Sequence, residues 1–180
     1  GCAAPASAMF HLTTHAAFKA LLFLGAGAVL YACHHEQDIW KLGGLRKKMP
    51  LTYRAFVTGA LALAGFPLLS GFFSKDAILA QAYENQMGLF VIGVAVVVLT
   101  AFYMMRCVLV VFHGESRADE SDGHGHPQDP PGEMIVPLLI LAALSIGLGW
   151  KFFGLSEFLN ANWRTLKGFT EAAHHAAMIW

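Results

Sequence analysis

Phe10-His11-Leu12-Thr13-Thr14-His15-Ala16-Ala17-Phe18-Lys19-Ala20-Leu21-Leu22-Phe23-Leu24 opens an apolar run that continues to Ala32. His11, His15 and Lys19 recur at i, i+4 and i+8. On a helix they stack along one face, drifting about 40° and rising about 6 Å per step. The residues around them are as apolar as a membrane span. Ionisable groups are costly in hydrocarbon and are kept there where they face a hydrated path or a partner. The column therefore reads as part of an ion path.

The totals agree with a membrane chain. Of 180 residues, 56% are hydrophobic and 13% charged, where soluble domains carry about a quarter charged residues. Twelve Lys and Arg balance twelve Asp and Glu, so no basic surface argues for nucleic acid. Cys2, Cys33 and Cys107 are odd in number and lack a C-x-x-C pair, which indicates neither a disulfide framework nor a zinc site. Nothing resembles a signal peptide, and the start Gly1-Cys2-Ala3 reads as the middle of a longer chain.

Hydropathy divides the chain into an all-α membrane protein with four transmembrane helices, the second one broken, and a C-terminal interfacial helix. Residues 1–8 read as the end of a preceding segment and 9–32 as the span with the His/Lys column. The connector 33–50 holds Lys41, Arg46, Lys47 and Lys48, which the positive-inside rule places in the cytoplasm. Residues 51–83 form the broken span: Pro67 removes a backbone donor, and Gly71 is expected to let the chain turn. Lys75 and Asp76 follow the break directly. They lie about 100° apart around a helix, so Lys75 is expected to face the path and Asp76 a neighbouring helix or subunit.

Residues 89–112 form a third span, with Thr100, Tyr103 and Arg106 on one face. Arg106 near its end is expected to snorkel to the interface. The loop 113–133 carries Glu115, Asp119, Glu120, Asp122, Asp129 and Glu133, and reads as a solvated acidic loop. Its His124 and His126, two apart beside Gly and Pro, make a poor closed metal site. Residues 134–153 form the fourth span. The tail 154–180 approximates an amphipathic interfacial helix, with His174 and His175 near its end.

Histidine titrates near neutrality and a desolvated lysine loses its proton readily, so His11, His15, Lys19 and Lys75 suit a proton path. A lone charge can equally be a snorkelling or structural group. No cysteine cluster or G-x-G-x-x-G suggests redox chemistry in this chain.

The run Met9 to Leu24 resembles the signature of the antiporter-like subunits of proton-pumping NADH–quinone oxidoreductase, respiratory complex I. His34-His35-Glu36-Gln37-Asp38, Lys41-Leu42-Gly43-Gly44-Leu45 and Gly71-Phe72-Phe73-Ser74-Lys75-Asp76 are similar to those of its L-type subunit. The resemblance implies a piece of a larger inverted-repeat bundle, the second half of its second repeat. It implies Lys19 as the central-axis lysine, His11 and His15 as relay histidines, Lys75 as the broken-helix lysine and Asp76 as a coupling acid. It further implies other membrane subunits of complex I as partners and a multi-pass place in the bacterial inner membrane. No cofactor is expected in this chain; NAD, FMN, iron–sulfur clusters and quinone would be bound by partner subunits. The alternatives are a subunit of the multisubunit sodium/proton antiporter and a purely structural membrane scaffold.

Overall fold

The computed structural model describes residues 5–115, 127–150, 154, 157–159 and 161. Among them the chain is helical without strands: α1 Pro5–Ala32, α2 Leu45–Lys48, α3 Pro50–Ala64, α4 Ser70–Asn85, α5 Met87–Phe112 and α6 Gly132–Gly147. Helix α1 begins before the expected position 9, because Pro5 suits the first helical turn, where its missing N–H costs nothing. Helix α6 ends at Gly147, short of the expected 153. Two described helices, α1 and α5, are long and apolar enough to cross a bilayer by length and composition. Residues 116–126, with His124 and His126, lie outside the described residues, as do His174 and His175.

Helix α1 is the centre of the bundle, packing against α3, α4 and α6, while α5 packs on α3 and α4. Its inner face is Phe10, Thr14, Ala17, Phe18, Leu21 and Leu22 at helical spacing, with Phe18 and Leu21 fully buried. The bundle carries small hydroxyl side chains within its mainly apolar core and large apolar side chains on its surface. Thr14, Thr52, Ser70, Ser74, Thr100 and Ser145 are buried, while Val91, Ile92, Val98, Leu99 and Phe102 of α5 are exposed. That distribution suits hydrocarbon surroundings.

The two connectors before α3 and after α5 meet at one end. The Gly44 N–H donates to the His113 carbonyl (3.2 Å), and Tyr53 Oη pairs with His113 Nε2 (3.2 Å). Arg106 ends over the Trp40 ring, 5.3 Å from its centroid, so its guanidinium reaches the connector rather than a polar path. Within the connector, Glu36 accepts the Asp38 N–H and an ion pair from Lys41, and Asp38 accepts the Trp40 N–H. The Asp38 backbone donor, then Lys41, holds the Glu36 carboxyl below its usual range.

Asp129 departs from its expected role in a solvated loop. Its carboxylate accepts the N–H groups of Leu51 and Thr52, each at 3.0 Å, and the Thr52 hydroxyl at 2.8 Å. Helix α3 has no side-chain cap of its own, so an acid 77 residues away along the chain supplies one. Removing such a cap costs about 1–2 kcal/mol. Asp129→Ala is expected to lower stability by that amount in detergent-solubilised protein, with Asp129→Asn losing less. Thermal unfolding of the two variants checks it; equal losses would show that a neutral amide oxygen cannot replace the carboxylate, and no loss in Asp129→Asn would show that its charge contributes nothing.

Candidate functional site

The site lies at the break between α3 and α4. Helix α3 ends at Gly65, whose φ of 85° places it in the left-handed region open to glycine. Gly65 N–H donates to the Ala62 carbonyl (3.2 Å), and Phe66 N–H to the Leu61 carbonyl (2.9 Å). This is the Schellman pattern, and it leaves the Leu63 carbonyl to be satisfied from outside the helix. Lys75 Nζ donates to that oxygen. A half-buried ammonium thus sits at the negative end of the α3 dipole.

The turning glycine is therefore Gly65, correcting the expectation for Gly71. Gly71 is helical and buried in α4. A Cβ there would overlap the Ala62 carbonyl oxygen and lie 3.4 Å from Phe18. Its missing side chain lets the two half-helices cross backbone to backbone. Between them Leu68 adopts φ 74°, a conformation that costs a non-glycine residue energy. Trp150 Nε1 donates to the Leu68 carbonyl at 2.8 Å, so the residue three beyond α6 ties the break in place.

Helix α1 faces this break. His11 Nδ1 and Ser74 Oγ are 3.0 Å apart, and Thr14 Oγ1 lies 2.9 Å from the same Ser74 oxygen. The His11 and His15 rings are neighbours, centroids 5.7 Å apart, and His15 packs edge-on to Phe18. Lys75 and His15 act electrostatically on His11, and Lys19 and Lys75 act on His15. Lys19 itself is exposed, with its ammonium 5.5 Å from the Phe23 ring centroid.

Of the expected residues, the fold brings together His11, His15 and Lys75. Lys19 continues the column outward onto the exposed face, and Asp76 is exposed beside Lys75. The sequence reading missed Thr14, Ser74 and Trp150, and the Leu63 carbonyl. Thr14 shares the His11 face three residues on, a signal present in the spacing. Ser74 and Trp150 carried none, because their partners lie 60 or more residues away. The buried hydroxyls of Ser70 and Ser145 have no hydrogen-bond partner among the described residues.

The arrangement is a file of protonatable groups running from a polar break, through two imidazoles, to an exposed lysine. Histidine and a partly buried lysine are residue types that can take up and release a proton in such an arrangement.

Known proteins share this chain's pattern. The family described as NADH:quinone oxidoreductase/Mrp antiporter, transmembrane, matches residues 1–102. NADH-quinone oxidoreductase subunit L of Rickettsia bellii is 50% identical over 149 residues, which cover 83% of this chain and 23% of that protein. The Pseudomonas aeruginosa subunit L is 48% identical over 145 residues, 79% of this chain and 23% of the relative. The Escherichia coli subunit L is 46% identical with the same coverage. The chain thus spans less than a quarter of the length of these relatives. The solved Mrp complex from Dietzia sp. DQ12-45-1b superposes with a TM-score of 0.73 at 25% identity, covering 88% of this chain and 37% of that one.

Proposed function

Because the chain belongs to the NADH:quinone oxidoreductase/Mrp antiporter transmembrane family, we propose that it carries part of the proton path of an L-type subunit of proton-pumping NADH–quinone oxidoreductase. The observation that carries this reading is Lys75. It caps the broken end of α3 beside a second helix that presents His11 and His15. A lysine whose partner is a helix-end carbonyl keeps its charge by a hydrogen bond that rearrangement of the break can remove, and its proton then moves to the neighbouring imidazoles. The exposed face with Lys19 is where the further helices of the longer relatives would pack, placing that lysine inside the complete subunit.

On this reading α1, the α3–α4 pair, α5 and α6 each cross the membrane, and the loops that meet at Gly44 and His113 face the cytoplasm. Asp76 contributes to coupling with a neighbouring helix or subunit. The chain sits with other membrane subunits in the bacterial inner membrane, and the redox groups and quinone belong to partners. A subunit of a sodium/proton antiporter is the second reading, favoured by the structural likeness to the Mrp complex.

The test uses the full-length protein in membrane vesicles. NADH-driven acidification sensitive to quinone-site inhibitors supports the first reading, and NADH-independent sodium/proton exchange the second. In either case Lys19→Ala is expected to lower proton translocation with the assembly intact. Wild-type stoichiometry in that variant would remove Lys19 from the path.

A further inference from the structure

We propose that Ser74 and Thr14 form a reorienting hydroxyl pair that positions His11 and lets either ring nitrogen carry the proton. This rests on the proton-path reading above and adds two residues to it. Both side chains are fully buried, and one oxygen, Ser74 Oγ, joins three groups: His11 Nδ1 at 3.0 Å, Thr14 Oγ1 at 2.9 Å and the Gly71 carbonyl at 3.3 Å. Thr14 Oγ1 is also 3.0 Å from the His11 carbonyl.

A hydroxyl has one proton and two lone pairs, so the network has two complete solutions. With His11 Nδ1 bare, the Ser74 O–H donates to Nδ1 and the Thr14 O–H donates to Ser74 Oγ. With Nδ1 protonated, the Nδ1–H donates to Ser74 Oγ, and the Ser74 O–H turns to the Gly71 carbonyl. Thr14 still donates to the second lone pair of Ser74. Each hydroxyl keeps its own proton throughout; only its direction changes. Both states of the imidazole are then paired, whereas an apolar residue at position 74 removes the partner of Nδ1 that serves both states, and a partly buried polar group left unpaired is costly. The Gly71 carbonyl belongs to the first turn of α4, so the Ser74 proton reports the state of His11 at the break itself.

The pair is testable in the full-length complex. Ser74→Ala and Thr14→Val remove the hydroxyls at nearly constant volume. Both are expected to assemble, since in Ser74→Ala the Thr14 hydroxyl falls back on the His11 carbonyl. NADH-driven proton translocation is expected to fall about tenfold in Ser74→Ala and less in Thr14→Val, with Thr14→Ser restoring it. The titratable groups acting on His11 are His15 on its own helix and Lys75 on α4. None of these substitutions alters them, so a pH profile displaced in Ser74→Ala and Thr14→Val but unchanged in Thr14→Ser reports the hydroxyls. Wild-type rates in both Ser74→Ala and Thr14→Val, with Lys75→Ala impaired, overturn this inference alone. Equal losses in Thr14→Val and Thr14→Ser also overturn it, since packing and not the hydroxyl would then matter. Wild-type translocation in Lys75→Ala overturns the path reading beneath it.

Discussion

Lys75→Ala in the full-length protein is expected to lower proton translocation by about ten- to a hundredfold while the complex still assembles. Two physical effects set that size. The ammonium is the donor to a helix-end carbonyl, and a hydrogen bond to a charged group contributes about 1.5–3 kcal/mol. It is also the titratable group that the structure places inside the break itself. Alanine removes both and leaves the Leu63 carbonyl without its donor, and an unpaired backbone group away from water is costly. Lys75→Arg separates charge from protonation. Guanidinium keeps the positive charge at the α3 terminus but does not release its proton, so translocation is expected to stay low although the break is held. The measurement is the ratio of protons moved to NADH oxidised in inverted vesicles. A normal ratio in Lys75→Arg would mean that the charge, and not the exchange of its proton, is what the break requires.

Gly71→Ala is the second large effect, and its sign is decided by two opposed terms. In an isolated helix the change stabilises by about 1 kcal/mol, since alanine loses less freedom on ordering. Here the added Cβ would overlap the Ala62 carbonyl oxygen, and backbone cannot swing aside as a flexible side chain does. Forcing the half-helices apart costs about 1–3 kcal/mol or more. It also displaces Ser74 and Lys75, which follow on the same helix. The net expectation is a marked loss of assembled complex and of thermal stability. Gly65→Ala, which strains a left-handed residue by about 1–2 kcal/mol and touches only the Lys75 side chain, is expected to be milder. Membrane levels and unfolding temperatures of the two variants compare them. If Gly65→Ala were the more damaging, the turn and not the crossing would be the critical feature of the break.

The site was legible in unequal parts. His11, His15 and Lys19 are visible because helical periodicity is a property of one segment, and ionisable residues in an apolar run are conspicuous whatever surrounds them. The break was visible through Pro67 and the glycines around it, yet which glycine turns was misread. Composition marks a flexible position but does not distinguish a left-handed turn at Gly65 from a close crossing at Gly71. Asp129 was read from its acidic neighbours as solvated, although it caps a helix that starts 79 positions earlier in the chain, at Pro50.

The amino-acid order by itself determined the helical class, the apolar surroundings and the column of protonatable groups. Each follows from short-range spacing and from the cost of charge in hydrocarbon. Only the tertiary structure decided the partners: Leu63 for Lys75, Ser74 and Thr14 for His11, Trp150 for the strained Leu68 and Asp129 for the start of α3. Hydrogen bonds form between groups about 3 Å apart in space, and a distance of that kind between residues scores of positions apart is set by how helices cross, which no local pattern encodes.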